Sequence, residues 1–165
     1  MFKRAIVIGC PGAGKSTFSR ALREKTGLPL YYLDMLWHRP DRTTAGRDEF
    51  DRRLKEILSR DQWIIDGNYG RTLEPRLRAC DAVFLLDLPV AECLAAVEAR
   101  VGEPREDMPW VETELEEEFR QWILEFPERE LPVIEELLSR YGEGREVCVF
   151  RSREEMRRYL ENRFE

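Results

Sequence analysis

The sequence lacks any stretch of about 18 consecutive apolar residues and any charged-then-apolar leader, so it predicts neither a membrane span nor a secretory signal. It also lacks an excess of positive charge, because 27 Lys and Arg stand against 33 Asp and Glu. A chain with a net charge of -6 is not expected to bind nucleic acid or anionic lipid directly. We therefore expect a cytoplasmic protein that acts on neither membranes nor nucleic acid.

Metal-binding and redox motifs are scarce as well. The chain has four cysteines, and none belongs to the C-x-x-C pair that zinc or redox chemistry would use. We expect them to be reduced core residues: Cys10, Cys80, Cys93 and Cys148. The single histidine, His38, lies beside Trp37, and a lone histidine in that setting favours a packing or hydrogen-bonding role over a catalytic one.

Five short apolar runs alternate with segments of helical period, and this order predicts an α/β fold. The length fits one domain, residues 1–165. Apolar strands separated by helices predict a parallel sheet covered on both faces, a three-layer arrangement. The predicted strands are Ala5–Ile8, Leu30–Leu33, Trp63–Ile65, Ala82–Leu86 and Val147–Phe150. Later helices are expected at about Glu112–Glu125, at Glu128–Tyr141 and from Ser152, whereas residues 102–109 lack periodicity and predict a loop.

The strongest motif is GCPGAGKS, which matches G-x-x-x-x-G-K-S between a predicted strand and a predicted helix. Glycines there allow the backbone to curl around phosphates and to point N–H groups at them. Lys15 is expected to reach the β- and γ-phosphates of a nucleotide, and Ser16 to ligate Mg²⁺. The residues predicted to bind the nucleotide here are Gly9, Pro11, Gly12, Ala13, Gly14, Lys15, Ser16 and Thr17.

Three aspartates follow predicted strands, at the edge where open parallel sheets bind ligands. Asp66 follows the run WII and is the preferred Mg²⁺ partner, with a role in the turn before Gly67 as the alternative. Asp87 favours a helix cap over catalysis. Asp34 ends the second strand, where an acid can orient or deprotonate an attacking hydroxyl, and an ordinary turn acid is the alternative reading.

The chain resembles the adenylate kinase-like branch of small P-loop kinases, and more narrowly the bacterial DNA topology modulation proteins. The resemblance rests on GCPGAGKST, LPLYYLDMLWHRP, WIIDGNYGRTLEPRL, VFLLDLP, REDM, EFRQWILEFP and VCVFRSREEMRRYL. It implies the P-loop NTPase fold with five parallel strands in the order 2-3-1-4-5. It also implies Mg²⁺ and ATP as cofactors and a mobile lid at roughly residues 102–126.

The same resemblance implies roles for particular residues. These kinases carry D-G-F-P-R-T where this chain has DGNYGRT, so Asp66 carries over directly as the acid of the Mg²⁺ shell. Arg71 carries over only across a one-residue insertion, as the arginine that contacts an acceptor phosphate. Arg100 and Arg105 are the lid arginines that the resemblance offers. On the base side it offers Arg151, Ser152 and Arg153, although Ser152 fits equally well as the N-cap of the last helix, with Glu155 in the capping-box position.

The expected activity is transfer of the γ-phosphoryl of Mg-ATP to a small acceptor: a nucleoside, a nucleotide or another hydroxyl metabolite. A nucleic-acid-associated or regulatory NTPase without such an acceptor is the alternative. Four arginines favour an anionic acceptor, because guanidinium groups match phosphate geometry: Arg39, Arg42, Arg71 and Arg76. Trp37, Tyr69 and Trp110 are either stacking surfaces for a planar acceptor or packing residues. The protein is expected to be a monomer or a homodimer.

Overall fold

The computed structural model describes residues 1–164 as one α/β structure built on a five-stranded parallel sheet. The strands are β1 (Arg4–Gly9), β2 (Leu30–Tyr32), β3 (Trp63–Asp66), β4 (Ala82–Leu86) and β5 (Glu146–Phe150). Their order is β2-β3-β1-β4-β5, with every neighbouring pair parallel. The predicted fold class and strand order are therefore confirmed.

Eight helices connect and cover these strands. They are α1 (Lys15–Thr26), α2 (Leu33–Trp37), α3 (Arg47–Leu58), α4 (Leu73–Ala79), α5 (Val90–Arg100), α6 (Glu117–Arg129), α7 (Leu131–Tyr141) and α8 (Arg153–Asn162). One turn of 3-10 helix, Gly70–Thr72, precedes α4. Within residues 1–164, no helix combines the length and the apolar character that a membrane crossing requires.

The central strands are apolar at nearly every position and buried on both sides. In β3 and β4 every residue is buried, and in β1 only the first is not. Successive strand residues point to opposite faces, so this burial requires helices on both faces of the sheet. The four cysteines are free thiols; Cys148 is half-buried and the other three are buried.

Several element boundaries differ from those that the sequence predicts. Leu33 begins the short helix α2 instead of ending β2, because a buried apolar residue fits both patterns. Helix α6 begins at Glu117, because the Gly102 N–H donates to the Glu112 carbonyl and keeps Glu112 in the preceding loop. The same helix continues through Pro127, where the buried side chains of Ile123 and Phe126 outweigh the lost backbone hydrogen bond.

The sheet places three loops that carry the predicted chemistry at one edge. Asp66 pairs in register with Val7 of β1 and with Tyr32 of β2. Because all strands are parallel, the loops after β1, β2 and β3 leave the same side of the sheet. The GCPGAGKS loop, Asp34 and Asp66 therefore lie together, whereas the sequence alone places them far apart.

Candidate active site

The GCPGAGKS loop curls between β1 and α1 in a conformation that glycine makes possible. Gly12 has a φ of +83°, and a Cβ atom there would lie 2.1 Å from the Cys93 carbonyl oxygen. The loop therefore packs against the start of α5 too closely for any side chain at this position. Gly14 precedes α1 in a left-handed conformation, and no side chain caps the helix. The N–H groups of this helix end are thus available to an anion.

Lys15 begins α1 and turns back over the loop. Its Nζ donates to the carbonyl oxygens of Gly9 at 2.9 Å and Cys10 at 3.2 Å. Partial removal from water lowers the pKa of Lys15, and the carboxylate of Asp66 opposes that shift. The ammonium group therefore lies over the loop, and two of its three N–H donors are used by these carbonyl contacts.

Asp66 ends β3 beneath this loop and is 6% exposed. Its Oδ2 atom has no hydrogen-bond partner among residues 1–164. Burial raises the pKa of Asp66 to about 7, and the positive charge of Lys15 opposes the rise. The Ser16 hydroxyl lies in the same cavity and accepts a hydrogen bond from Arg20. Mg²⁺ prefers oxygen ligands, so an unpartnered carboxylate oxygen and a hydroxyl at the phosphate loop fit that metal.

The burial of Asp66 predicts a pH-dependent stability difference. A carboxyl whose folded pKa is about 7, above its ordinary value of 3.8, favours folding only while protonated, so this contribution is lost as the pH rises through that range. The Asp66→Asn variant stays neutral. Its free energy of unfolding, relative to that of wild type, should therefore rise by about 2–4 kcal/mol as the pH increases from roughly 4 to 8. Urea unfolding without Mg²⁺ at both pH values measures this difference. An equal stability difference at both ends of the range would show that Asp66 ionises normally.

Asp34 and Tyr69 form a hydrogen-bonded pair on the other side of the phosphate loop. Asp34 lies in the first turn of α2, and its Oδ1 accepts from the Tyr69 hydroxyl at 2.7 Å. Burial and the neighbouring Asp34 carboxylate raise the pKa of Tyr69 far above its ordinary value, so the phenol keeps its proton and remains a donor. The pair leaves the second carboxylate oxygen of Asp34 for another hydroxyl.

The loop that carries Tyr69 is fixed to the phosphate loop. The Asn68 side chain accepts from the Gly9 N–H at 3.0 Å and donates to the Gly9 carbonyl at 2.6 Å. Tyr69 has a φ of +39°, in the left-handed region. Few non-glycine residues adopt that conformation, and the surrounding contacts hold it. Asn68 thus couples the phosphate loop to the Asp34–Tyr69 pair.

Arg76 is one of the four arginines expected to favour an anionic acceptor, but it is fully buried. Its guanidinium donates to the carbonyl oxygens of Gly67 at 2.9 Å and Tyr69 at 3.3 Å, and also to that of Asn68. Burial lowers the pKa of Arg76 to about 9. The expectation that Arg76 faces an acceptor is therefore wrong, because its donors are committed to the backbone of this loop.

Much of the predicted lid loop lines the cavity. Residues 101–116 contain no helix or strand. Arg105 pairs with Glu112 at 2.7 Å and Asp107 at 3.7 Å. Trp110 packs edge-on against His38, with ring centroids 5.6 Å apart, and lies under the Arg42 guanidinium at 4.9 Å. The loop therefore contacts the segment after α2, opposite the phosphate loop.

A second set of contacts anchors the lid loop nearer the nucleotide side. Glu106 accepts from the Tyr32 hydroxyl and lies 3.4 Å from Arg23 of α1. Arg100, at the end of α5, lines the cavity, and burial lowers its pKa. Its Nε has no partner among residues 1–164. Arg100 is thus a cation that lines the cavity and carries a buried Nε donor without a partner in the described residues.

The three base-side residues fall into two groups. Arg153 lines the cavity and donates to the Gly12 carbonyl at 3.0 Å. Arg151 instead pairs with Asp87 at 3.0 Å, and the Ser152 hydroxyl accepts from the Glu155 N–H as the N-cap of α8. The structure therefore brings Arg153 to the phosphate loop and leaves Arg151 and Ser152 outside the cavity lining within residues 1–164.

Arg71 does not face the cavity either. It is exposed, and it donates to both carboxylate oxygens of Asp51 on α3, at 2.7 and 3.0 Å. In DGNYGRT the extra residue lets the chain turn at Tyr69 and Gly70, so Arg71 falls on the outer side of the 3-10 turn. The role at an acceptor phosphate that the resemblance implies is not matched by this position.

We expect Arg71→Ala to leave the KM of the acceptor and of ATP within about twofold of wild type, because a solvent-exposed ion pair contributes little. Arg100→Ala, a cavity arginine, is the comparison and should raise the KM of ATP or lower kcat. Steady-state kinetics with an acceptor found by the screen described below measures both. A large and selective rise in the KM of the acceptor for Arg71→Ala would show that Arg71 contacts the acceptor after all.

The remaining groups border one cavity of about 1120 Å³. Its nucleotide side is lined by Pro11, Gly12, Gly14, Lys15, Ser16, Thr17, Arg20, Arg100 and Arg153. Gly9 and Ala13 lie behind this lining, where Gly9 contacts Asn68 and Ala13 is fully buried. Asp34, Asp66, Asn68, Tyr69 and Trp110 also face the cavity. Trp37 packs instead against Phe50, with ring centroids 6.0 Å apart.

One side of the cavity was not anticipated from the sequence. Helix α6 contributes Phe119, Trp122 and Phe126, and α7 contributes Val133 and Ile134. In the sequence, residues 119, 122 and 126 have ordinary helical spacing, which predicts a core-facing stripe and not a ligand surface. The signal that could have raised the question is the concentration of three aromatic residues in one helix.

Comparisons with known proteins find relatives among small kinases. No protein-family model matches the chain. It is similar to the adenylate kinases of Thermotoga neapolitana, at 29% identity over 89 residues, and of Thermotoga maritima, at 30% over 89 residues. These alignments include 53% of this chain and only 40% of each relative, so the chain matches less than half of the relatives' length.

Among solved structures, the chain is similar to shikimate kinase from Acinetobacter baumannii in complex with shikimate. The TM-score is 0.64 at 19% identity, over 98% of this chain and 92% of that one. Shikimate kinase from Bacteroides thetaiotaomicron gives a TM-score of 0.58 at 16% identity, over 98% and 96% of the two chains. The chain therefore has the P-loop NTPase fold that these kinases share.

Proposed function

We propose that the protein is an ATP-dependent kinase that phosphorylates a hydroxyl group of a small molecule. The observation that carries this proposal is the position of Asp34. A carboxylate held by the Tyr69 hydroxyl faces the same cavity as the phosphate loop. A nucleotide-binding switch needs the phosphate loop but not the Asp34–Tyr69 pair. The similarity to adenylate kinases and the shared fold with shikimate kinases support the same class of reaction.

The phosphate loop, the N-terminus of α1 and Lys15 would bind the β- and γ-phosphates of ATP. Ser16 and Asp66 would hold Mg²⁺, which neutralises charge on the phosphates when bound. Arg153 would lie beside the loop on the base side, where it contacts the Gly12 carbonyl. A nucleotide bound in this way would direct its γ-phosphoryl group toward the loops after β2 and β3.

Asp34 would orient the acceptor hydroxyl and accept its proton. Tyr69 occupies one carboxylate oxygen as a donor and fixes the carboxylate plane. The acceptor hydroxyl then donates to the remaining oxygen. A base in this position contributes by positioning and by removing a proton as the new bond forms.

The predicted lid, at roughly residues 102–126, would exclude water from the γ-phosphoryl group. The loop of residues 101–116 makes up its first half. Arg105 is the lid arginine proposed to contact the transferring phosphoryl group. In this conformation Glu112 and Asp107 hold it, so it would exchange those partners for phosphate oxygens. The narrower resemblance to DNA topology modulation proteins, the cytoplasmic location and the monomeric or dimeric state stay predictions.

A screen for acceptor-dependent ADP release tests this proposal. Purified protein with Mg-ATP is supplied with nucleosides, nucleotides, sugars and other alcohols one at a time, and ADP formation is coupled to a spectrophotometric readout. The proposal predicts that at least one alcohol raises ADP release well above the rate without acceptor. ADP release that no small molecule stimulates would favour the NTPase alternative instead.

A further inference from the structure

One face of the cavity is apolar. The hydrogen-bonded pair of Asp34 and Tyr69, which we call the acceptor corner, lines the same cavity. This apolar wall consists of Leu73, Phe119, Trp122, Phe126, Val133 and Ile134. Leu73 begins α4 only four residues after Tyr69, so the wall continues directly from the Asp34–Tyr69 pair. Both belong to the lining of the same cavity.

The aromatic residues of the wall support one another. The Phe119 and Trp122 rings are parallel within 10°, with centroids 6.2 Å apart. Phe126 meets Trp122 edge-on at 5.5 Å. Val133 is 51% exposed, and Phe119 and Trp122 are half-buried, so these three residues present apolar surface at the cavity, whereas the other three members of the wall are buried. Covering such surface with an apolar group is favourable, and aromatic rings add stacking to that gain.

The arginines that would have favoured an anionic acceptor are committed elsewhere. Arg71 pairs with Asp51, and Arg39 pairs with Glu49. Arg76 is buried against backbone carbonyls. Arg42 faces the cavity, but it is exposed and rests on Trp110. None of these four arginines therefore offers a phosphate or carboxylate on the acceptor a buried guanidinium to offset its desolvation. The cavity lining also includes Arg100 and Arg105, which are the two lid arginines.

The charges next to the wall have the opposite sign. Glu114, Glu116 and Glu130 line this part of the cavity. None of the three belongs to an ion pair within residues 1–164. Carboxylates at this edge would repel an anionic acceptor and tolerate an uncharged one.

We propose that the acceptor is an uncharged alcohol that carries a planar or apolar ring, with its hydroxyl at Asp34 and its ring on the apolar wall. The proposal rests on the proposed kinase function. The acceptor oxygen bonds to the γ-phosphorus, the bond from that phosphorus to the bridging oxygen breaks, and ADP leaves with the electron pair. The acceptor proton passes to Asp34. The cavity of about 1120 Å³ exceeds the roughly 300–1000 Å³ typical of one ligand, so it suits a nucleotide and a second molecule.

The first test compares matched acceptors. Each uncharged alcohol that carries a planar or apolar ring, such as a nucleoside or an aryl glycoside, is assayed beside two relatives. One is its phosphate monoester, and the other is the same sugar without the base or aryl group. The proposal predicts that the best ring-bearing alcohol exceeds both partners by about tenfold or more in kcat/KM. The proposal would be overturned if the best acceptor were a phosphate monoester or a sugar without a base or aryl group.

A matched pair of variants tests the wall itself. Val133→Asp places a charge on the wall at a half-exposed position, and Leu124→Asp does so at a similar position outside the cavity lining, where Leu124 is 41% exposed. Val133→Asp should raise the KM of the ring-bearing alcohol about tenfold and leave the KM of ATP unchanged. Leu124→Asp should change neither. Equal effects of the two variants would contradict a ring site. Trp122→Ala removes more of the wall, and its thermal unfolding must be checked first.

Calorimetry separates failure of this inference from failure of the kinase function. Nucleosides and aryl glycosides are titrated into wild type, Val133→Asp and Leu124→Asp in the presence of a non-hydrolysable ATP analogue. Saturable binding that only Val133→Asp weakens supports the ring site even if no alcohol stimulates ADP release, in which case the kinase function alone fails. Absence of binding to the wild type overturns the ring site. Kinase activity confined to anionic acceptors would overturn the ring site and leave the kinase function standing.

Discussion

Lys15→Ala should lower kcat for phosphoryl transfer by about 30- to 1000-fold, which corresponds to about 2–4 kcal/mol of lost transition-state stabilisation. The ammonium of Lys15 lies over the phosphate loop with only two carbonyl partners, at 2.9 and 3.2 Å. Its contact with phosphate oxygens strengthens as charge develops in the transition state, so the loss should appear mainly in kcat. Steady-state kinetics at saturating ATP measures this effect.

Lys25→Ala is the matched control for that variant. Lys25 lies in the last turn of the same helix, α1, and is exposed. Its replacement removes an equal charge and should leave kcat unchanged. Circular dichroism of both variants checks that α1 still forms. A correctly folded Lys15→Ala protein with wild-type turnover would show that the phosphate loop is not the active centre.

Asp34→Asn should lower kcat by about 10²- to 10⁴-fold, the range that a positioned base contributes. An amide retains the size of the carboxylate and can still accept from Tyr69, but it cannot take the acceptor proton. The KM of ATP should stay within about threefold, because Asp34 lies on the acceptor side of the loop. Isothermal titration with an ATP analogue and steady-state kinetics with the screened acceptor separate these two effects.

Asp48→Asn serves as the control for Asp34→Asn. Asp48 lies in the first turn of α3 and is exposed, so it offers the same chemical change away from the cavity. It should leave kcat unchanged. If Asp34→Asn retains a rate close to that of wild type, Asp34 is an ordinary turn acid, and the acceptor hydroxyl loses its proton without a protein base.

The sheet and the phosphate loop could be predicted because their signals are local. Each strand is a short apolar run, and the parallel order places such runs in the interior. GCPGAGKS depends on residues adjacent in the chain, and glycine is needed where the backbone approaches α5 at Gly12. Asp34 and Asp66 were found as acids at strand ends, which the parallel topology brings to one edge.

The partners of the arginines could not be predicted in the same way. Arg71 and Arg76 lie five residues apart in the motif region, yet one pairs with Asp51 on α3 and the other is buried under the loop of residues 67–69. Which carboxylate or carbonyl a long side chain meets depends on elements distant in sequence. A resemblance that matches the motif except for one inserted residue therefore leads to an acid that lines the cavity, Asp66, but misplaces the arginine.

The apolar wall shows the same limit for helices. Spacing identifies the apolar face of α6 but not whether that face meets the core or a cavity. Ile123 is buried outside the cavity lining, whereas Trp122 faces the cavity and packs partly on the core. Which side of the helix meets the cavity depends on the neighbouring loop and helices, which the spacing within α6 does not reveal.

Transfer of a labelled γ-phosphoryl group from ATP tests the central claim most directly. Wild type and Lys15→Ala are incubated with γ-labelled ATP, Mg²⁺ and the alcohol that most stimulates ADP release, and the products are separated. The account predicts that wild type places the label on the alcohol with one ADP formed for each labelled product, and that Lys15→Ala loses nearly all transfer. Label released as inorganic phosphate, with none on any alcohol, would contradict it.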